Sequence, residues 1–210
     1  MRFTSHRDFS RAFERAVFRA RVPMAYSSGF NPHPRISYAG AAPTGSASEA
    51  EYLEIALAEV VDPATVHAAL AESLPEGLDL LAVVESEGGS LADRLEASHW
   101  RIDLDADAAG ASRAVETFLA SDEVLVERMT KKGLREFDCR GAVVSLDADA
   151  GARGVALDLV LRHGVPSVRP DDVLTGLQAV SELAWVGAPL FSRLAQGPLQ
   201  DGRTVGDPFA

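Results

Sequence analysis

The chain has one cysteine, two lysines and no long apolar run. The lone Cys139 excludes an internal disulfide framework and any metal or cluster site built from several thiolates. No stretch reaches the roughly 18 uninterrupted apolar residues that a membrane helix needs. The opening Met1-Arg2-Phe3-Thr4-Ser5-His6-Arg7 has no apolar signal core behind it. Neither a Walker-type phosphate loop nor a GxSxG elbow occurs. His6 and His33 stand far in sequence from His67, His99 and His163, so neither a metal nor a cofactor is expected. What remains is ordinary globular composition, and a soluble, cytoplasmic protein is expected. Its 210 residues suffice for one core, or for two of about 100 residues each.

The net charge of −11 argues against a nucleic-acid partner until its distribution is read. Residues 1–40 carry Arg2, Arg7, Arg11, Arg15, Arg19, Arg21 and Arg35 against Asp8 and Glu14, a local balance of +5. Residues 128–140 carry Arg128, Lys131, Lys132, Arg135 and Arg140 against Glu136 and Asp138, a balance of +3. Two basic islands on an acidic body point to a directed electrostatic site. The alternative is that these charges are solvated or paired with acidic neighbours.

Helical spacing of Phe9, Ala12, Phe13, Ala16, Val17 and Ala20 predicts a first helix, capped by Thr4 or Ser5 with Asp8 in capping-box position. Arg7, Arg11, Arg15 and Arg19 then fall on the face opposite the apolar one. Pro23 ends the run, and an extended piece follows near residues 35–39. Alternation over residues 51–58 predicts a strand, and Asp62-Pro63 starts a helix to about Leu74. Residues 78–85 read as another strand.

After the divider Glu87-Gly88-Gly89-Ser90 the order repeats: strand 99–104, helix 109–119, strand 124–130, a hairpin region at 134–146, strand 155–161, helix 170–180 and an extended piece at 183–190. The expected fold is α+β: tandem ferredoxin-like (βαββαβ) halves with antiparallel sheets, the first lacking most of its opening strand. One larger α+β sheet is the alternative. Only Arg2 and Phe3 stand where that strand belongs; the start lies upstream of Met1, or another chain supplies the strand, or it is missing. The divisions are 1–89, 90–198 and a flexible tail at 199–210.

The segment Tyr26-Ser27-Ser28-Gly29-Phe30-Asn31-Pro32-His33-Pro34-Arg35 is the most unusual in the chain. Gly29 offers positive φ, Pro32 and Pro34 stiffen the backbone, and Gly45 marks a second small-residue turn. Asn31, His33 and Arg35 present polar groups, while Tyr26 and Phe30 present flat faces on which a base could stack. Phe18 falls on the arginine face of the first helix and interleaves an aromatic among its guanidiniums. A well-packed structural loop, with His33 bonded to the backbone, is the alternative.

These residues carry a resemblance. Ser5–Asp8, Arg11–Ala16, Val22–Ser37 and Gly45–Tyr52 closely resemble the radical-SAM-linked family of uncharacterised bacterial proteins, with Lys131–Arg140 as a second, looser patch. The resemblance implies a gene beside, or fused to, that of a radical S-adenosylmethionine protein, and often near a ribonuclease of the E/G class. The 18 arginines against two lysines suit a GC-rich, actinobacterial-type genome. The chain departs from the family in its missing opening strand and in Phe18, where a further basic residue is typical. It cannot itself be the radical enzyme, because that cluster needs three cysteines.

Three functions remain. The first is a non-catalytic, RNA-binding accessory protein, with Arg7, Arg11, Arg15, Arg19, Arg35, Lys131, Lys132, Arg135 and Arg140 on phosphates and Phe18, Tyr26 and Phe30 on bases, helped by Asn31 and His33. Tandem ferredoxin-like domains in repeat-associated CRISPR RNA endonucleases offer a fold analogy only. The second is an RNA-cleaving or modification-assisting enzyme subunit, with His6 or His33 as general acid or base. The third is a protein-only adaptor for the radical enzyme.

Overall fold

The computed structural model describes residues 6–130 and 133–210. The expected cap at Thr4 or Ser5, the opening strand at Arg2 and Phe3, and the site residues Lys131 and Lys132 lie outside the described residues. The chain divides into two compact units, residues 1–93 with Phe209, and residues 94–208 with Ala210. Both are α+β. No described helix is long and apolar enough to cross a membrane.

In the first unit, α1 (His6–Arg19) buries Phe13, Ala16 and Val17 and leaves its arginine face outward. The helix ends before Pro23 in a Schellman motif: the Val22 amide donates to Val17 O and the Arg21 amide to Phe18 O. Arg21 holds the left-handed position at φ 54°, where glycine is usual. Val17 and Val22 meet in the same apolar cluster, the contact that accompanies this motif. Beyond it come β1 (Ile36–Ala39), the two-residue β2 (Ala47–Ser48), β3 (Tyr52–Ile55) and α2 (Pro63–Ser73). Asp62 caps α2 by accepting the Ala64 amide at 2.8 Å, and Pro63 occupies its first turn.

β1 and β3 pair antiparallel, with Ile36 opposite Ile55 and Ser37 opposite Glu54. Ile36, Leu53 and Ile55 face the core built by Phe13, Val17, Met24, Val66 and Leu70. Among the described residues this sheet has two strands, fewer than a βαββαβ half requires. Residues 78–85, expected as a strand, join no ladder. Leu80 and Val83, three apart, are the positions that pack on the core, which breaks the two-residue period of a strand. The Leu80 carbonyl is engaged by the His67 ring at 3.1 Å instead of by a neighbouring strand.

After the short helical turn α3 (Leu91–Arg94), the second unit contains β4 (Ala97–Asp105), α4 (Ala108–Ala120), β5 (Leu125–Thr130), β6 (Gly133–Asp138), β7 (Val143–Gly151), β8 (Gly154–Arg162), α5 (Pro170–Val180) and β9 (Val186–Gly197). Four of these strands lie in the antiparallel order β9-β4-β8-β7. Residues alternate along β4: Trp100, Ile102 and Leu104 are buried, while Arg101 and Asp105 are exposed. α4 supplies Ala111, Ala114, Val115 and Phe118 to the core, and α5 supplies Val173, Leu174 and Leu177.

The hairpin expected within 134–146 forms one strand earlier, between β5 and β6. Asp138 explains the shift. Its carboxylate accepts the Val124, Arg140 and Gly141 amides at 2.9 Å each, which turns the chain out of β6 before β7 begins. Residues 199–210, expected as a flexible tail, pair as β10 (Leu199–Gln200) and β11 (Thr204–Val205), and the Gly206 amide donates to Pro198 O.

Gly176 lies where α5 crosses Cys139. A Cβ there would meet Cys139 Sγ at 2.6 Å and Phe118 Cε2 at 2.9 Å. Burial, reinforced by Asp138 and Asp172, pushes the Cys139 thiol up to about 12, so this cysteine is a core atom and not a nucleophile. A second polar node lies at the sheet end: Trp100 Nε1 donates to Ser98 Oγ at 2.8 Å, and Ser98 Oγ lies 3.0 Å from His163 Nε2. His163 Nδ1 lies 2.6 Å from Leu95 O, an acceptor, so the proton sits on Nδ1 and Ser98 donates to Nε2. Ser98 is buried, which makes this Ser–His contact structural.

Candidate nucleic-acid interface

Arg7, Arg11 and Arg15 recur every fourth residue of α1, so each step climbs about 6 Å along the axis. That is of the order of the separation between neighbouring phosphates on an extended strand. All three are exposed, and among the described residues no carboxylate is paired with them. Phe18, 81% exposed, continues this face. Arg19 differs, because its guanidinium donates to Ser73 O at the end of α2. It clasps the two helices and caps a carbonyl that α2 leaves unpaired.

The Tyr26–Arg35 segment is a pinned hairpin. The Ala25 amide donates to Ala56 O, the Ala56 amide to Arg35 O and the Arg35 amide to Ala25 O, a closed ring at the base of the loop. Tyr26 bridges Pro34, and the Ser27 amide donates to His33 O at 2.9 Å. The His33 amide in turn donates to Ser27 Oγ at 3.0 Å. These bonds leave an apex of Ser28, Gly29, Phe30, Asn31 and Pro32, all exposed. Gly29 takes φ 134° with open space around it, so backbone conformation and not crowding requires glycine. Gly45, at φ 99°, serves the second turn.

Phe30 has its ring entirely in solvent, and Tyr26 is 54% exposed. A bare aromatic on a cross-bonded loop covers no core of its own. An aromatic held this way would lose little conformational freedom on meeting a planar ligand.

His6 packs edge-on against Tyr38, ring centres 5.0 Å apart, in a cluster with Phe9 and Phe13. His33 belongs to the loop, and among the described residues no hydrogen bond joins the two histidines. Arg35 is exposed at the start of β1 and shares a shallow groove of about 380 Å³ with Ile36, Ser37, Glu54, Ile55, Ala56 and Ser86. Glu54 and Ser86 escaped the sequence reading. The strand alternation already placed Glu54 on the face away from Leu53 and Ile55, but only the β1–β3 register sets it beside Ser37 and near Arg35.

Two cations of the second basic island, Arg128 and Arg140, are engaged internally. Arg140 donates to Val143 O and Leu119 O, each at 3.2 Å. Arg128 donates to the buried Asp172 carboxylate and to Ser167 O, and lies over the Phe137 ring. Arg135 is exposed opposite Arg128 on the β5–β6 hairpin.

No curated protein is matched by the chain. A family model does match, over residues 1–170, which include α1, the pinned loop and the β5–β6 hairpin: the chain belongs to the family described as "Uncharacterized protein conserved in bacteria" (DUF2344).

Proposed function

We propose that this is a non-catalytic RNA-binding accessory protein, acting in the cytoplasm beside a radical S-adenosylmethionine enzyme or a ribonuclease of the E/G class. The observation that carries the reading is the row of three guanidiniums on α1, exposed and unmatched by any described carboxylate. A row of cations at this spacing attracts a phosphate backbone without reading its sequence. Tyr26 and Phe30, in the same unit, add stacking faces of the kind single strands use. The two histidines support binding over cleavage, because among the described residues no hydrogen bond joins either ring to a carboxylate or to the other histidine.

The C-terminal unit we read as ferredoxin-like: β4-α4-β7-β8-α5-β9 has the strand order β9-β4-β8-β7, with the β5–β6 hairpin inserted. The analogy with RNA-handling ferredoxin-like proteins is one of fold only.

Fluorescence anisotropy with a labelled single-stranded RNA 12-mer tests the proposal. Binding is expected at 50 mM salt and is expected to weaken steeply by 200 mM. No binding at low salt, together with retention of a protein partner after nuclease treatment, overturns it in favour of an adaptor. RNA cleavage by the wild type that is lost in His6→Ala or His33→Ala replaces it with a catalytic role.

A further inference from the structure

We infer that the groove between β1 and β3 is a nucleobase pocket selective for guanine; this rests on the RNA-binding reading of the same unit. The groove holds two charged side chains, Arg35 and Glu54, and no ion pair joins them among the described residues. Register explains why they coexist. Ser37 faces Glu54, and Arg35 continues the same strand face two residues earlier, diagonal to the glutamate. A carboxylate oriented by Ser86 and an exposed guanidinium on the same strand face suit a ligand with a donor edge and an acceptor edge.

Among the RNA bases guanine has both. Its Watson–Crick edge offers N1–H and the N2 amino group side by side, which a carboxylate accepts together. Its Hoogsteen edge offers O6 and N7, the acceptor pair that arginine reads bidentately. Adenine and cytosine place a ring-nitrogen lone pair next to their amino group, where it would face the second carboxylate oxygen. Uracil offers a single N–H between two carbonyls.

Ser86 Oγ donates to Glu54 Oε1 at 3.2 Å. That bond orients the carboxylate and leaves Oε2 with no hydrogen bond among the described residues. Ala56 keeps the floor of the groove low, because it carries no side chain beyond Cβ. A volume of about 380 Å³ lies near the lower end of ligand pockets and suits one base rather than two. The Arg35 backbone is held by the three-bond ring at the loop base.

The test uses the full chain and three labelled 8-mers of uridine carrying one central guanosine, inosine or adenosine, with all-uridine 8-mer as reference. Inosine lacks only the N2 amino group. The guanosine 8-mer is expected to bind at least about fivefold more tightly than the other two. In Glu54→Gln that ratio should collapse to less than about twofold, since the amide turns a donor towards the base edge. Ser86→Ala, a milder change, should reduce it part of the way.

Equal affinity for the guanosine and adenosine 8-mers, with salt-sensitive binding of both, overturns the pocket and leaves the RNA reading standing. So does an undiminished guanosine preference in Glu54→Gln. Failure of all the 8-mers to bind at low salt overturns both.

Discussion

Removing the arginine row is the sharpest perturbation of the proposed interface. Replacing Arg7, Arg11 and Arg15 together by alanine deletes three exposed guanidiniums without touching the buried Phe13, Ala16 and Val17, and alanine is the best helix former. Each phosphate neutralised on a single strand contributes about 0.7 to the slope of log affinity against log salt. Three contacts give a slope of about −2.1, so raising salt fourfold from 50 to 200 mM weakens the wild type about 20-fold. The triple variant should lose about 2 from that slope and become nearly insensitive to salt over the same interval. Anisotropy titrations at four salt concentrations measure both slopes, and a circular-dichroism melt verifies that α1 still folds. Parallel slopes for the two proteins would refute the assignment of α1 to the phosphates, even if affinity fell. Arg19→Ala provides a contrast: because Arg19 clasps Ser73 O, its loss should lower the melting temperature more than it changes the slope.

Three further outcomes are expected. Phe30→Ala should weaken single-stranded RNA binding by about 1–3 kcal/mol while leaving the melting temperature unchanged, because the ring has no contacts in the folded protein to lose; a drop in melting temperature with unaltered affinity would reverse this assignment. Gly176→Ala should destabilise the second unit by about 1–3 kcal/mol in urea denaturation, against a helix-propensity gain of about 1 kcal/mol, and Cys139→Ala should recover part of the loss by removing Sγ; strictly additive effects of the two changes would contradict the contact. Burial lowers the His163 pKa, outweighing the Leu95 carbonyl that favours the cation, so the unfolded chain takes up a proton near the ordinary value of about 6.5 while the folded chain resists it. Stability should therefore be complete above that value and fall as pH drops through it, and His163→Gln should flatten the melting temperature between pH 7.5 and 5.5 relative to wild type. Burial raises Asp171 and Asp172, which act in the opposite direction at lower pH, so the variant is the proper reference; identical pH profiles would remove His163 from the account.

Much of this protein was legible from sequence because the relevant physics is local. Helical periodicity and the fourfold spacing of the arginines set both faces of α1, and Asp62-Pro63 and Pro170 marked the starts of α2 and α5. The aromatic apex and the positive-φ glycine of the loop were equally visible. Residues 78–85 misled because apolar residues near alternation suggest a strand, yet a strand needs a partner, and His67 engages the Leu80 carbonyl. Asp138 misled for a related reason: its three amide contacts end β6 and hand the hairpin to β5.

Tertiary structure alone decided which cations remain available. Arg7, Arg15, Arg19, Arg128 and Arg140 are equivalent in sequence, one guanidinium each within a basic run. Folding leaves Arg7 and Arg15 on an open helix face, ties Arg19 to a helix end, and spends Arg128 and Arg140 on a buried carboxylate and on backbone carbonyls. The placement of Arg35 and Glu54 in one groove is likewise a matter of register, since 19 positions separate them along the chain and only the β1–β3 ladder brings them to one face. Sequence determined where charge and aromatic surface are made; long-range hydrogen bonding determined which of it stays exposed.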